Sequence, residues 1–260
     1  MIEPSEDGPA PDEGADRPAP GPARPPSAAD RVRAALEVFA CSGIPTQFVL
    51  AQSLALAGIH PFGPRAALDP VWVSALTLGD TLLIALIAWT LLRGNGESPR
   101  EVFLGVRPPG REAWFGLLIT GPLVIGVALV LLALRWAYPP LHNVPDNPMA
   151  GMLHTRWGAA LFLVVALVGG GVREELQRAF LLVRFERYLG GPLVGLLVTS
   201  VAFGAGHAIQ GWDAAVATGL LGLTWGWVYL RRRSAVGPMV SHAGFNGLEV
   251  IQFLLAGAGV

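Results

Sequence analysis

From Leu36 onward the chain is a succession of apolar runs, and each is close to the roughly 20 residues that a helix needs to cross the hydrocarbon core of a bilayer. The runs fall at 36–58, 71–92, 113–135, 157–182, 191–209, 213–230 and 235–257. Lipid offers no water to the backbone, so each run must satisfy its own N–H and C=O groups, and the helix does that within one segment. The fold class is therefore all-α, a polytopic transmembrane helix bundle of about seven to eight spans by that ruler. Composition agrees, with 52% hydrophobic residues against 14% charged and a mean hydropathy of +0.51, far from the soluble average.

Residues 1–29 read differently, as a Pro-, Ala- and acid-rich tail with too little apolar surface to pack. The transmembrane domain is then 30–260. A cleaved signal would set its apolar run directly behind a basic start, so the N-terminus is expected to be retained. Cys41 is the only cysteine and excludes an internal disulfide and any CxxC motif. A net charge of -1 argues against a nucleic-acid partner, since a phosphate-binding surface needs a clustered basic excess.

Arginines set the expected orientation, because cytoplasmic loops carry the positive excess. Arg31 and Arg33 precede the first run; Arg93, Arg100, Arg107 and Arg111 follow the second; Arg184 and Arg187 follow the fourth; Arg231, Arg232 and Arg233 follow the sixth. In a seven-span arrangement all four places share one side. That puts the N-terminus in the cytoplasm. Pro45, Pro122 and the run Gly169, Gly170, Gly171 mark expected kinks. Trp136, Trp157, Trp212, Trp225 and Trp227 suit the membrane interfaces.

Ionisable side chains inside lipid are costly and point to a wet cavity or a partner. The later runs hold three sets at helical spacing. VREELQRAFLL carries Glu174 and Glu175 with Arg178 one turn on; VAFGAGHA carries Phe203 and His207; VSHAGFNG carries His242 and Asn246. Residues three or four apart share a helix face, so three helices can aim carboxylates, imidazoles, an amide and a guanidinium at one place. Such a set suits water activation and oxyanion stabilisation. Asp80 is a polar group whose partner the sequence does not name, Asp213 is expected to cap the sixth helix, and Ser241 is a neighbour of His242 rather than a nucleophile.

These motifs, in this order, resemble those of the CAAX-protease and bacteriocin-processing family of intramembrane proteases, which includes the Ras-converting type. The similar core covers about 157–257. The family pattern is a Glu pair followed by Arg, then Phe-x-x-x-His, then His-x-x-x-Asn, each on its own helix. Only Leu176 and Gln177 stand between the Glu pair and Arg178, where the family has three residues. The resemblance implies an intramembrane endopeptidase that hydrolyses a peptide bond of a membrane-associated substrate with glutamate-activated water. It further implies that Glu174 is the base, helped by His207, that Arg178 partners the Glu pair, and that His242 and Asn246 are oxyanion donors. Membrane lipid and a membrane-associated peptide or protein are the implied partners, in a bacterial inner (plasma) membrane. A divalent metal such as zinc on Glu174, His207 and His242 remains open as a cofactor. Alternatives are a non-proteolytic immunity or scaffold protein of the same fold, and a small transporter or proton relay.

Depth sets a condition on this site. At 1.5 Å per residue from the expected helix ends, Glu174 lies ~15 Å deep, His207 ~24 Å and His242 ~12 Å. Tilt or a break in a helix must close a gap of about 10 Å for the three to meet.

Overall fold

A computed structural model describes residues 25–63, 68–145 and 149–257. The expected tail falls largely outside the described residues; its last two residues, Ala28 and Ala29, already belong to the first helix. Ser27 starts that helix with a capping box, its hydroxyl and the Asp30 carboxylate serving each other's backbone N–H. The first apolar run is not one rod. It is α1 (Ala28–Ala40) and α2 (Ile44–Leu56), separated at Cys41 to Gly43. Gly43 takes a left-handed φ of 86°, open to a glycine without strain, and Pro45 sits in the first turn of α2 rather than kinking a continuous helix.

α3 (Pro70–Gly94) is capped by Asp69, whose carboxylate accepts from Trp72 N at 2.8 Å. A five-residue helix, α4 (Pro99–Phe103), follows, and then the long α5 (Pro109–Ala137), which runs through Pro122 unbroken. By length and composition Ala28–Leu56, Pro70–Gly94 and Pro109–Ala137 are apolar enough to cross a membrane. α5 exposes Leu117, Leu118, Ile125, Leu129 and Leu132, as a lipid-facing helix should. α6 (Arg156–Val165) passes through a π-helical segment (Ala166–Arg173) into α7 (Glu174–Tyr188), and α8 (Pro192–Gly206), α9 (Trp212–Arg232) and α10 (Val236–Gly257) complete the bundle. α8 packs on α9, while α10 lies against α5, α9 and the π segment.

The arginine-rich ends are bonded to one another. Arg184, fully buried, sits between Glu37 of α1 at 3.0 Å and Glu97 of the α3–α4 turn, which also takes Arg187. Arg232 grips Glu112 through two bonds of 2.7 and 2.9 Å, and Arg233 pairs with Glu186. The expected same-sidedness of these loops is thus a contact in the fold. At the other end Asp213 takes Arg135 at 2.8 Å and His142 at 2.9 Å, while its Oδ1 accepts from Ala214 N, so it is an ion-pair hub as well as part of the first turn of α9.

Candidate active site

The glycine run lies within the π segment and thins the helix so that neighbours can close in. A Cβ on Gly171 would stand 2.6 Å from that of Ala243, and one on Gly170 would occupy the place of the Asn246 amide nitrogen, with His242 Nε2 at 3.4 Å. The π segment widens the turn, and Asn246 Nδ2 donates to Ala166 O at its start, at 3.0 Å. The same swelling hands over to α7 at Glu174, the first residue with regular α geometry.

α7 continues to Tyr188, four residues past the end that the ~15 Å count assumed, which sets Glu174 about 21 Å along its helix, close to the ~22 Å that α8 spans before His207. α10 begins behind Ser234 and Ala235, both buried, with Ala235 N donating to Phe103 O at 2.8 Å, and its His242 meets Glu175 and Glu174 directly.

Glu175 and His242 form the centre. His242 Nδ1 is 2.8 Å from Glu175 Oε1, which is also paired with Arg178. A carboxylate engaged by a guanidinium accepts, so the imidazole donates from Nδ1 and turns Nε2 towards Glu174, 3.7 Å from its Oε2. That Oε2 is buried and makes no hydrogen bond among the described residues, while the side chain as a whole is 21% exposed. The shortened Glu-Glu-to-Arg spacing keeps its partner: Arg178 reaches Glu175 at i+3.

His207 is placed less directly. It caps the end of α8, and its Nδ1 is 2.8 Å from Phe203 O; a carbonyl only accepts, so Nδ1 carries the proton and Nε2 keeps a lone pair. Its link to the rest is the Phe203 ring, 4.8 Å from the His207 ring, 5.9 Å from the His242 ring and 4.5 Å from Arg178 Cζ. The structure thus brings Glu174, Glu175, Arg178, His242 and Asn246 to one place and joins His207 through an aromatic spacer.

Trp225 is the residue that sequence reasoning misplaced. It is fully buried, not interfacial, and stacks on His242 with centroids 3.8 Å apart and planes 17° apart. Its Nε1–H donates to Ser241 Oγ at 3.2 Å, which gives Ser241 a bystander's role. Three residues before Val228, amid a run of small and apolar positions, it carried no motif to set it apart from Trp227, which is exposed.

Among the described residues no three His, Cys, Asp or Glu side chains gather closely enough to hold a metal ion. Glu174 and His242 face each other, but His207 reaches them only through Phe203, so the proposed ligand set does not fit the three protein donors of a catalytic zinc site.

Residues 156–248 match the family described as type II CAAX prenyl endopeptidase Rce1-like. No curated protein and no solved structure matches the chain. The matched segment contains all three motif sets and Trp225.

Proposed function

Because residues 156–248 carry the CAAX-protease family segment, we propose that this chain is an intramembrane endopeptidase in which Glu174 activates water against a peptide bond of a membrane-anchored substrate. The observation that carries this reading is Glu174 Oε2, a buried carboxylate oxygen with no hydrogen bond among the described residues, facing His242 Nε2 across 3.7 Å. An unpaired buried carboxylate oxygen is expensive, and a site that keeps one has a use for it.

Water bonded to that oxygen gives up a proton to Glu174 as its oxygen attacks the carbonyl carbon. The carbonyl π electrons move to oxygen. The protonated His242 ring donates from Nε2, and Asn246 donates the second hydrogen of Nδ2, the first being spent on Ala166 O. His242 can donate from Nε2 as well as from Nδ1 only as the imidazolium, a form that the Glu175 and Glu174 carboxylates on its two nitrogens favour; these donors then meet the developing oxyanion. Collapse of the tetrahedral intermediate breaks the C–N bond, and the proton held by Glu174 passes to the leaving amine. Glu175, Arg178 and the Trp225 face hold the His242 ring in plane throughout. His207, joined to the site through the Phe203 ring, is the helper of the base that the family resemblance implies.

The test is cleavage in proteoliposomes of two quenched-fluorescence probes, one with a farnesylated CAAX end and one with a diacyl-lipid anchor. Glu174→Gln keeps shape and removes the base, so turnover should vanish in protein that melts like wild type. Asn246→Ala should lower kcat by roughly 10²–10³-fold with little change in KM. A chelator should leave the wild-type rate unchanged. Cleavage by a well-folded Glu174→Gln protein would overturn the base assignment; loss on chelation with rescue by zinc would replace it with a metal mechanism.

A further inference from the structure

Asp80 lies in the middle of α3 and is 1% exposed. Its carboxylate takes Arg173 Nη2 at 2.5 Å, Gln47 Nε2 at 3.1 Å and the Thr46 hydroxyl. Arg173 is the last residue of the π segment, directly before Glu174, and its guanidinium fills the space where a side chain on Gly43 would be. One turn further on, Gln177 Nε2 donates to Cys41 O at 2.7 Å. Residues 173 and 177 share a helix face, and 174 and 178 share the next one round. One row grips the α1–α2 break and α3. The other faces α8, α9 and α10 and carries Glu174 and Arg178.

We infer that the Asp80–Arg173 pair, seated on the break between α1 and α2, is a positioning device that fixes the rotation of the catalytic helix at Glu174. This positioning role rests on the proposed role of Glu174 as base and on the geometry around it. The Glu174 carboxylate itself is held by little, since its contact with His242 is 3.7 Å and its Oε2 makes no hydrogen bond among the described residues. Its place is set by the backbone. That backbone changes there from π to α, and a π turn holds one residue more than an α turn. Carrying the extra residue of that wide turn to the other side of Glu174 would shift Glu174 by one register, about 100° of helix rotation, and take it away from His242. A buried ion pair at the last π residue blocks that slide, because breaking it strands a charge away from water. Asp80, Thr46, Gln47 and Gly43 all precede the matched segment 156–248, so the device is supplied by the part of the chain that the family match does not cover.

Cys41 makes the latch measurable without substrate, being the only cysteine in the sequence, buried, and at the gripped break. Asp80→Asn should raise the rate of Cys41 labelling by N-ethylmaleimide in liposomes at least tenfold. With the two peptide probes it should lower kcat by about 10²-fold at a KM within twofold, the cost of a reacting group misplaced by an ångström. Asp80→Glu should restore both to within threefold. Glu112→Gln, which removes an equally buried carboxylate from its pair with Arg232 away from the site, should lower the melting temperature but leave labelling and kcat within threefold of wild type. Unchanged labelling and turnover in Asp80→Asn beside an inactive Glu174→Gln would overturn the positioning role alone. Equal losses of kcat in Asp80→Asn and Glu112→Gln would reduce it to general stability. Cleavage retained by Glu174→Gln would instead strike the base assignment, leaving Cys41 labelling to show whether Asp80 still holds the helix.

Discussion

Trp225 offers His242 a π face at 3.8 Å, and its indole N–H is tied to Ser241. A cation over a buried aromatic face gains about 0.5–2 kcal/mol, which at 1.36 kcal/mol per tenfold in rate is a factor of roughly 2–30 if it acts in the transition state. Trp225→Phe keeps a face and should retain kcat within about threefold, while Trp225→Leu should lower it by roughly tenfold and, through the cavity left behind, cost about 3 kcal/mol of stability. Paired steady-state kinetics and detergent melting separate the two effects. A Trp225→Leu protein with wild-type kcat would show that the stacking packs His242 without serving it.

At the scale of elements, the π segment does three things: it lets α10 approach, presents Ala166 O to Asn246, and ends at Arg173, directly before Glu174. Gly170→Ala sets a methyl group where the Asn246 amide stands. Overpacking of that kind costs about 1–3 kcal/mol, and here it also displaces an oxyanion donor, so kcat should fall about as far as in Asn246→Ala. Gly121→Ala is the fitting comparison, since a Cβ there meets nothing within 4 Å and the helix gains propensity of up to about 1 kcal/mol. Measured melting curves should move down for the first and stay level or rise for the second. The same trend in both would mean that the glycines matter for flexibility rather than for close approach.

Across the whole molecule the charged clusters divide the bundle into two ends. Glu37, Glu97, Arg184, Arg187, Glu112, Arg232, Glu186 and Arg233 join the arginine-rich loops at one end; Arg135, His142 and Asp213 meet at the other. The first end should be cytoplasmic, because basic loops are retained on that side. A reporter inserted after Arg233 should then read as cytoplasmic and one inserted between residues 139 and 145 as external. The same side for both would contradict a bundle in which α9 crosses the membrane between them.

The sequence by itself determined the helical class, the approximate runs, the loops that share an end and the residue types of the site, because each is written in local patterns: apolar length, arginine placement and spacing of three or four. The motif residues Glu174, Glu175, Arg178, His242 and Asn246 were legible for the same reason. What the tertiary structure decided is every relation between helices. The break at Gly43, the π turn at Ala166–Arg173 and the meeting of Glu174, Glu175, His242 and Asn246 across two helices are not written in any single run. The partner of Asp80 is Arg173, 93 positions away, and the face against His242 is Trp225. Neither pairing has a sequence period, since a side chain's neighbour across a bundle is set by helix rotation and depth, and those follow from packing.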